Sequence, residues 1–123
     1  GYFISDVGDM LRTYLSAAGE EENDLSKVQV RDEYFDAVMR GYLGEMRDEL
    51  SAAELDAFVY AGEFMIYMQA LRFLTDYLNN DVYYGARYPL HNYNRAANQT
   101  VLLEDLIKKQ EFFKNMVWDF LEI

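Results

Sequence analysis

From Phe58 to Leu78 the chain carries only three charged residues, Glu63, Arg72 and Asp76, and no proline. A run that long and apolar is too long for an ordinary strand, and apolar residues on nearly every side of a helix mark the centre of a helical domain. Ser51-Ala52-Ala53-Glu54 stands just before it. A Ser with Glu three positions later is a capping box, and Leu50 and Leu55 occupy the two positions of a hydrophobic staple. The spacing therefore predicts one buried central helix over about 51–78.

The rest of the chain has the same period. Val7, Met10, Leu11, Tyr14 and Leu15 form one helical face, with Ser5 as candidate cap and Asp6 and Asp9 near the positive end of the helix. Phe35, Val38, Met39, Tyr42, Leu43 and Met46 form a second, with Asp32 as candidate N-cap. Leu103, Leu106, Ile107, Phe113, Val117, Phe120 and Leu121 form a last one, starting between His91 and Asn98. Ser26 to Val30 reads as a short extended connector. The expected fold is all-α, with four main helices, the central one buried, in a single helical domain or subdomain over 1–123. At 14.5 kDa the chain fits one hydrophobic core.

Charge excludes several functions. With 22 acidic and 11 basic residues the net charge is −11, which disfavours phosphate backbones and anionic lipid. Residues 1–60 hold 14 acids and 5 bases, so most of the excess lies in the first half. No uncharged apolar run reaches the length of a membrane span, and no signal-peptide pattern is visible. The absence of Cys removes disulfides, cysteine–zinc sites and thiol nucleophiles, and suits a cytoplasmic location. The chain starts without Met, which suggests a processed, tagged or excised piece.

Motifs for chemistry are few. Glu20-Glu21-Glu22-Asn23-Asp24 lacks the alternation and central Gly of a calcium loop and reads as a solvated loop. His91 is the one histidine, and a lone loop histidine reads as a surface residue. There is no E-x-x-H, H-E-x-x-H, glycine-rich phosphate loop or G-x-S-x-G. No catalytic and no metal-binding residue is assigned.

Two places stand out. Gln69, Arg72 and Asp76 form a polar stripe on the central helix, and a buried guanidinium there needs a partner. Either Arg72 pairs with Asp76 along the helix, or it is a donor fork for a polar ligand. Beyond the helix, Tyr83, Tyr84, Arg87, Tyr88, His91 and Tyr93 cluster in a loop from Asn79 to about Tyr93. Such a cluster suits stacking and hydrogen bonding to a carbohydrate or other polyol; tyrosines packing a loop onto the core would look the same.

Four stretches are familiar. Gly1-Tyr2-Phe3-Ile4-Ser5-Asp6-Val7-Gly8-Asp9-Met10-Leu11-Arg12-Thr13 resembles the segment after the metal-binding Asp of aminoglycoside-phosphotransferase-like (choline kinase-like) small-molecule kinases. Leu71-Arg72-Phe73-Leu74-Thr75-Asp76-Tyr77-Leu78, Asp81-Val82-Tyr83-Tyr84, and then His91-Asn92 and Arg95, are similar to the end of the N-acetylhexosamine 1-kinases, some of which carry a mucin-desulfating label. The resemblance spans the chain in order. It implies the helical C-terminal part of a kinase-like C-lobe, without the N-lobe, the H-x-D loop or the metal-binding Asp. By that resemblance Arg72 and Tyr83 hold the amino sugar, Asp6, Asp9 and Arg12 are structural, and the parent uses ATP and Mg²⁺. The chain alone would be catalytically inert. Its partners would be the missing N-terminal kinase portion and, through an exposed apolar face, a second copy. The competing expectation is a free-standing acidic helical module that binds a protein, suggested by the aromatic and Met content.

Overall fold

Helix boundaries follow the sequence signals in some places and override them in others. The computed structural model describes residues 2–122. Among them it is all-helical: α1 Tyr2–Tyr14, α2 Asp32–Met46, α3 Ala52–Asp56, α4 Phe58–Leu78, α5 His91–Lys108 and α6 Gln110–Leu121, with 3₁₀ turns at Leu25–Lys27 and Arg47–Glu49. The capping box forms as expected: Ser51 Oγ accepts from Glu54 N at 3.1 Å, and Glu54 Oε1 accepts from Ser51 N at 2.9 Å. Leu50 and Leu55 both pack against the core.

Four boundaries differ from expectation. α1 already runs from Tyr2, so Ser5 lies inside the helix and caps nothing; Gly1 lies outside the described residues. At α2 the cap position is Arg31, with no side-chain cap bond, and Asp32 opens the first helical turn. There its carboxylate still faces the positive end of the helix dipole. The expected helix over 51–78 is two helices that meet at Ala57, whose N–H is shared between the carbonyls of Ala53 and Glu54 at 3.0 and 3.1 Å. This tightening is 3₁₀-like and ends α3 before α4 begins. Trp118 Nε1 donates to Asp56 Oδ1 at 3.2 Å and holds that corner against α6.

The last expected helix is likewise divided, at Lys109. Its Nζ donates to Val30 O at 2.7 Å and to Asp105 Oδ2 at 3.1 Å, and the same Asp105 oxygen accepts from Val30 N at 2.7 Å. One ion pair thus satisfies both backbone groups of Val30, a buried residue in the connector between α1 and α2.

α4 is the centre of the packing, lying mainly against α1 and α5. Val7, Leu11, Phe35, Ile66, Leu106 and Phe113 are fully enclosed in the core around it. Phe35 stacks on Phe113 at 4.1 Å and meets the edge of Phe58 at 5.9 Å. The α1–α4 crossing is close because glycine stands at it. A Cβ on Gly8 would lie 2.1 Å from Met65 Cγ and 2.6 Å from the Ala61 carbonyl oxygen.

α4 is not buried on every side. Tyr60, Phe64, Tyr67, Leu71, Leu74 and Leu78 follow one another at intervals of three and four residues and are all exposed, so one apolar stripe of the central helix has no cover. No helix among the described residues is long and apolar enough to cross a membrane.

Candidate functional site

The chain leaves α4 through a tight turn in which two consecutive non-glycine residues, Asn80 (φ 64°) and Asp81 (φ 60°), are left-handed, followed by Gly85 at φ 71°. Asn and Asp tolerate this region better than other L-residues, but it is still costly and must be held. Asp76 does much of the holding. Its backbone oxygen accepts from Asp81 N at 2.7 Å. Its side chain, only 5% exposed, accepts from Tyr83 N at 2.8 Å and from Tyr84 N at 2.9 Å.

A third donor comes from α5. Asn92, fully buried, points its Nδ2 at Asp76 Oδ2 (3.1 Å), Asp81 Oδ1 (3.0 Å) and the Gly85 carbonyl (3.1 Å). A buried carboxylate that accepts three N–H groups is satisfied without a cation. Tyr84 is fixed as well, its ring 5.0 Å from that of Phe73 and its hydroxyl accepting from Gln69 Nε2 at 3.2 Å.

Between the last turns of α4 and this loop lies a cleft of about 620 Å³, whose lining includes Arg72, Thr75, Asp76, Asn79, Tyr83 and Tyr84. Both residues singled out from the sequence, Arg72 and Tyr83, stand on it. Arg72 is exposed, not buried as expected. It does not pair with Asp76, because that carboxylate is turned to the backbone of the loop. Among the described residues the side chains of Arg72, Thr75 and Asn79 and the hydroxyl of Tyr83 make no hydrogen bond with the protein, so a guanidinium, a hydroxyl, an amide and a phenol stand free beside one cleft.

The remainder of the tyrosine cluster is elsewhere. Tyr88 stacks on His91 at 4.7 Å and Tyr93 packs against Tyr77 at 5.5 Å. His91, expected at the surface, is 2% exposed. Its Nδ1 accepts from Arg87 N at 3.1 Å, so the ring proton sits on Nε2 and is donated to Glu21 Oε2 at 2.6 Å.

The acidic run is correspondingly more than a solvated loop. Arg95 donates to Glu21 Oε1 from Nε at 2.9 Å and to the Asn92 side-chain oxygen at 2.9 Å, and its guanidinium lies 5.5 Å over the Phe73 ring. Asn98 Nδ2 donates to the carbonyls of Gly19 and Glu22 at 2.9 and 3.0 Å. Burial works to raise the Glu21 pKa, but the hydrogen bonds from His91 and Arg95 and the charge of Arg95 prevail and hold the carboxyl below its ordinary range.

Sequence reasoning missed Asp76 and Asn92 as the pair that builds the loop, and Thr75 and Asn79 as cleft residues. The available signal was an Asp in the last helical turn followed by Asn79-Asn80-Asp81, a sequence prone to side-chain capping of a turn. No protein-family model matches the chain.

Proposed function

We propose that this chain is the substrate-side helical part of an ATP-dependent sugar kinase that phosphorylates the anomeric hydroxyl of an N-acetylhexosamine. The observation that carries the reading is the meeting of Arg72 and Tyr83 on one cleft, at the two positions the kinase resemblance assigns to the sugar. An N-acetylhexosamine offers hydroxyls, an acetamido carbonyl and an apolar ring face. A free guanidinium, a hydroxyl, an amide and an exposed tyrosine ring match those groups in kind.

The chain by itself is inert in this reading. By the kinase resemblance the Mg²⁺, the ATP and the catalytic base belong to the N-terminal kinase portion. The lack of Cys suits a cytoplasmic location for such an enzyme. The uncovered apolar stripe of α4 supports a chain that packs against more protein, whether the kinase portion or, when separated from it, a second copy. The alternative, a free-standing acidic module that binds a protein partner, draws on the same stripe but leaves the polar cleft without a purpose.

The test is the native gene product, identified in its source cells by peptides from this chain. A product several times larger than 14.5 kDa that transfers phosphate from ATP to an N-acetylhexosamine is expected. In it, Arg72→Ala and Tyr83→Phe raise the KM for sugar and leave the KM for ATP unchanged. A product of the size of this chain, or equal changes in both constants, overturns the reading.

A further inference from the structure

One wall of the cleft is the loop after α4, and that loop is built around the buried carboxylate of Asp76. We infer that Asp76 is a positioning residue for sugar binding: it acts through Tyr83, and Asn92 in turn orients Asp76. The inference rests on the sugar-kinase reading above and adds to it a residue whose role lies in the loop's backbone.

Tyr83 is 83% exposed, and beyond an edge contact with Tyr84 at 4.8 Å its ring has little to fix it. Its backbone must therefore be fixed for the phenol to stand at the cleft. The Asp76 carboxylate does this by taking the N–H groups of Tyr83 and Tyr84, one on each oxygen. The loop so held contains two left-handed non-glycine residues, Asn80 and Asp81, which would relax if the anchor were lost.

Asn92 closes the arrangement. Its amide bridges Asp76, Asp81 and the Gly85 carbonyl, and Arg95 sets which way the amide points by donating to its oxygen. Because Asp76 is occupied in this way, Arg72, one turn earlier on α4, is left free of a carboxylate partner. Asp76 thus serves the cleft twice, by holding Tyr83 and by not quenching Arg72. Replacing it with Asn substitutes an N–H donor for one of the acceptor oxygens, so at least one loop N–H loses its partner.

The experiment is steady-state kinetics on the full-length gene product with N-acetylglucosamine and N-acetylgalactosamine, using Asp76→Asn, Tyr83→Ala and the double variant. Asp76→Asn is expected to raise the sugar KM about tenfold with kcat and the KM for ATP unchanged, and to add almost nothing in the Tyr83→Ala background. Asn92→Ala, which leaves the two backbone bonds to Asp76 in place, is expected to shift the sugar KM in the same direction by less. It serves as the readout if Asp76→Asn fails to fold. Additive effects of Asp76→Asn and Tyr83→Ala, or a fall in kcat at constant sugar KM, overturn the positioning role while leaving the kinase reading intact. If Asp76→Asn does not fold, an unchanged sugar KM in Asn92→Ala does the same. A wild-type product that phosphorylates neither sugar overturns the kinase reading and this inference with it.

Discussion

The side chain of Asp76 accepts the backbone N–H of Tyr83 at 2.8 Å, seven residues further along the chain. That bond joins the last turn of α4 to the middle of the following loop and determines which groups of the cleft are free. Removing the carboxylate leaves buried donors unpaired, whereas removing Arg72 or the Tyr83 ring leaves none. Arg72→Ala and Tyr83→Ala are therefore expected to change stability by no more than about 0.5 kcal/mol, as surface substitutions do. Asp76→Ala is expected to cost about 2–3 kcal/mol or more, from the unsatisfied loop N–H groups. Urea denaturation of the three variants checks the contrast.

The α1–α4 crossing predicts a second asymmetry. Gly8→Ala sets a methyl against the Ala61 carbonyl oxygen, which is backbone and cannot step aside, as well as against Met65. Gly62→Ala meets chiefly the Leu11 side chain, the nearest atom at 2.9 Å. Gly8→Ala is expected to lose about 1–3 kcal/mol and Gly62→Ala less, although both are helical positions where alanine is otherwise the better residue. Denaturation midpoints decide the order.

Glu63 lies on α4, partly buried, with one carboxylate oxygen that has no partner among the described residues. Burial pushes its pKa up and Lys114 only partly offsets this. A carboxyl with a raised folded pKa contributes stability that is present below its unfolded pKa and is lost as pH rises through the folded one. Glu63→Gln is accordingly expected to raise the denaturation midpoint at neutral pH. The gain should disappear below the ordinary carboxylate pKa of about 4.3, and a gain of equal size at both pH values would contradict the burial argument.

Glu21 has the opposite sign. Despite some burial, hydrogen bonds from His91 and Arg95 keep its pKa low. Its contribution is present above the unfolded carboxylate pKa and is lost as pH falls through the depressed folded value. Wild-type stability should fall more steeply than that of Glu21→Gln on acidification through this range. Parallel curves would mean that Glu21 does not fasten the acidic loop to α5.

Asn80 tests the strain in the turn. Alanine at a left-handed position costs roughly 1–2 kcal/mol, while glycine takes it freely. Asn80→Ala is expected to lower the thermal midpoint and Asn80→Gly to leave it unchanged or higher. The order would reverse if the turn were not left-handed in solution.

Much of the fold could be read in the sequence because helical signals are local. The four-residue spacing of Phe35, Met39 and Leu43 and the Ser51–Glu54 capping box each need only one turn of chain to act, and both appear in the structure. So does the acidic character that runs through the first half. The breaks at Ala57 and Lys109 leave that spacing undisturbed, and no glycine or proline marks either one. At Lys109 the decisive group is the Val30 backbone, 79 residues away.

The candidate site shows the same division. Arg72 and Tyr83 could be named from the run of residues around them. That they share a cleft, that Arg72 is free, and that His91 is buried against Glu21 follow from contacts between α4, α5 and the acidic loop. A buried Asp needs its full set of hydrogen-bond donors, and those of Asp76 come from positions 83, 84 and 92. Local periodicity carries no information about that convergence. The residues fixed the helices in sequence order, and the satisfaction of buried polar groups, which only the packed structure can achieve, decided where the cleft opens.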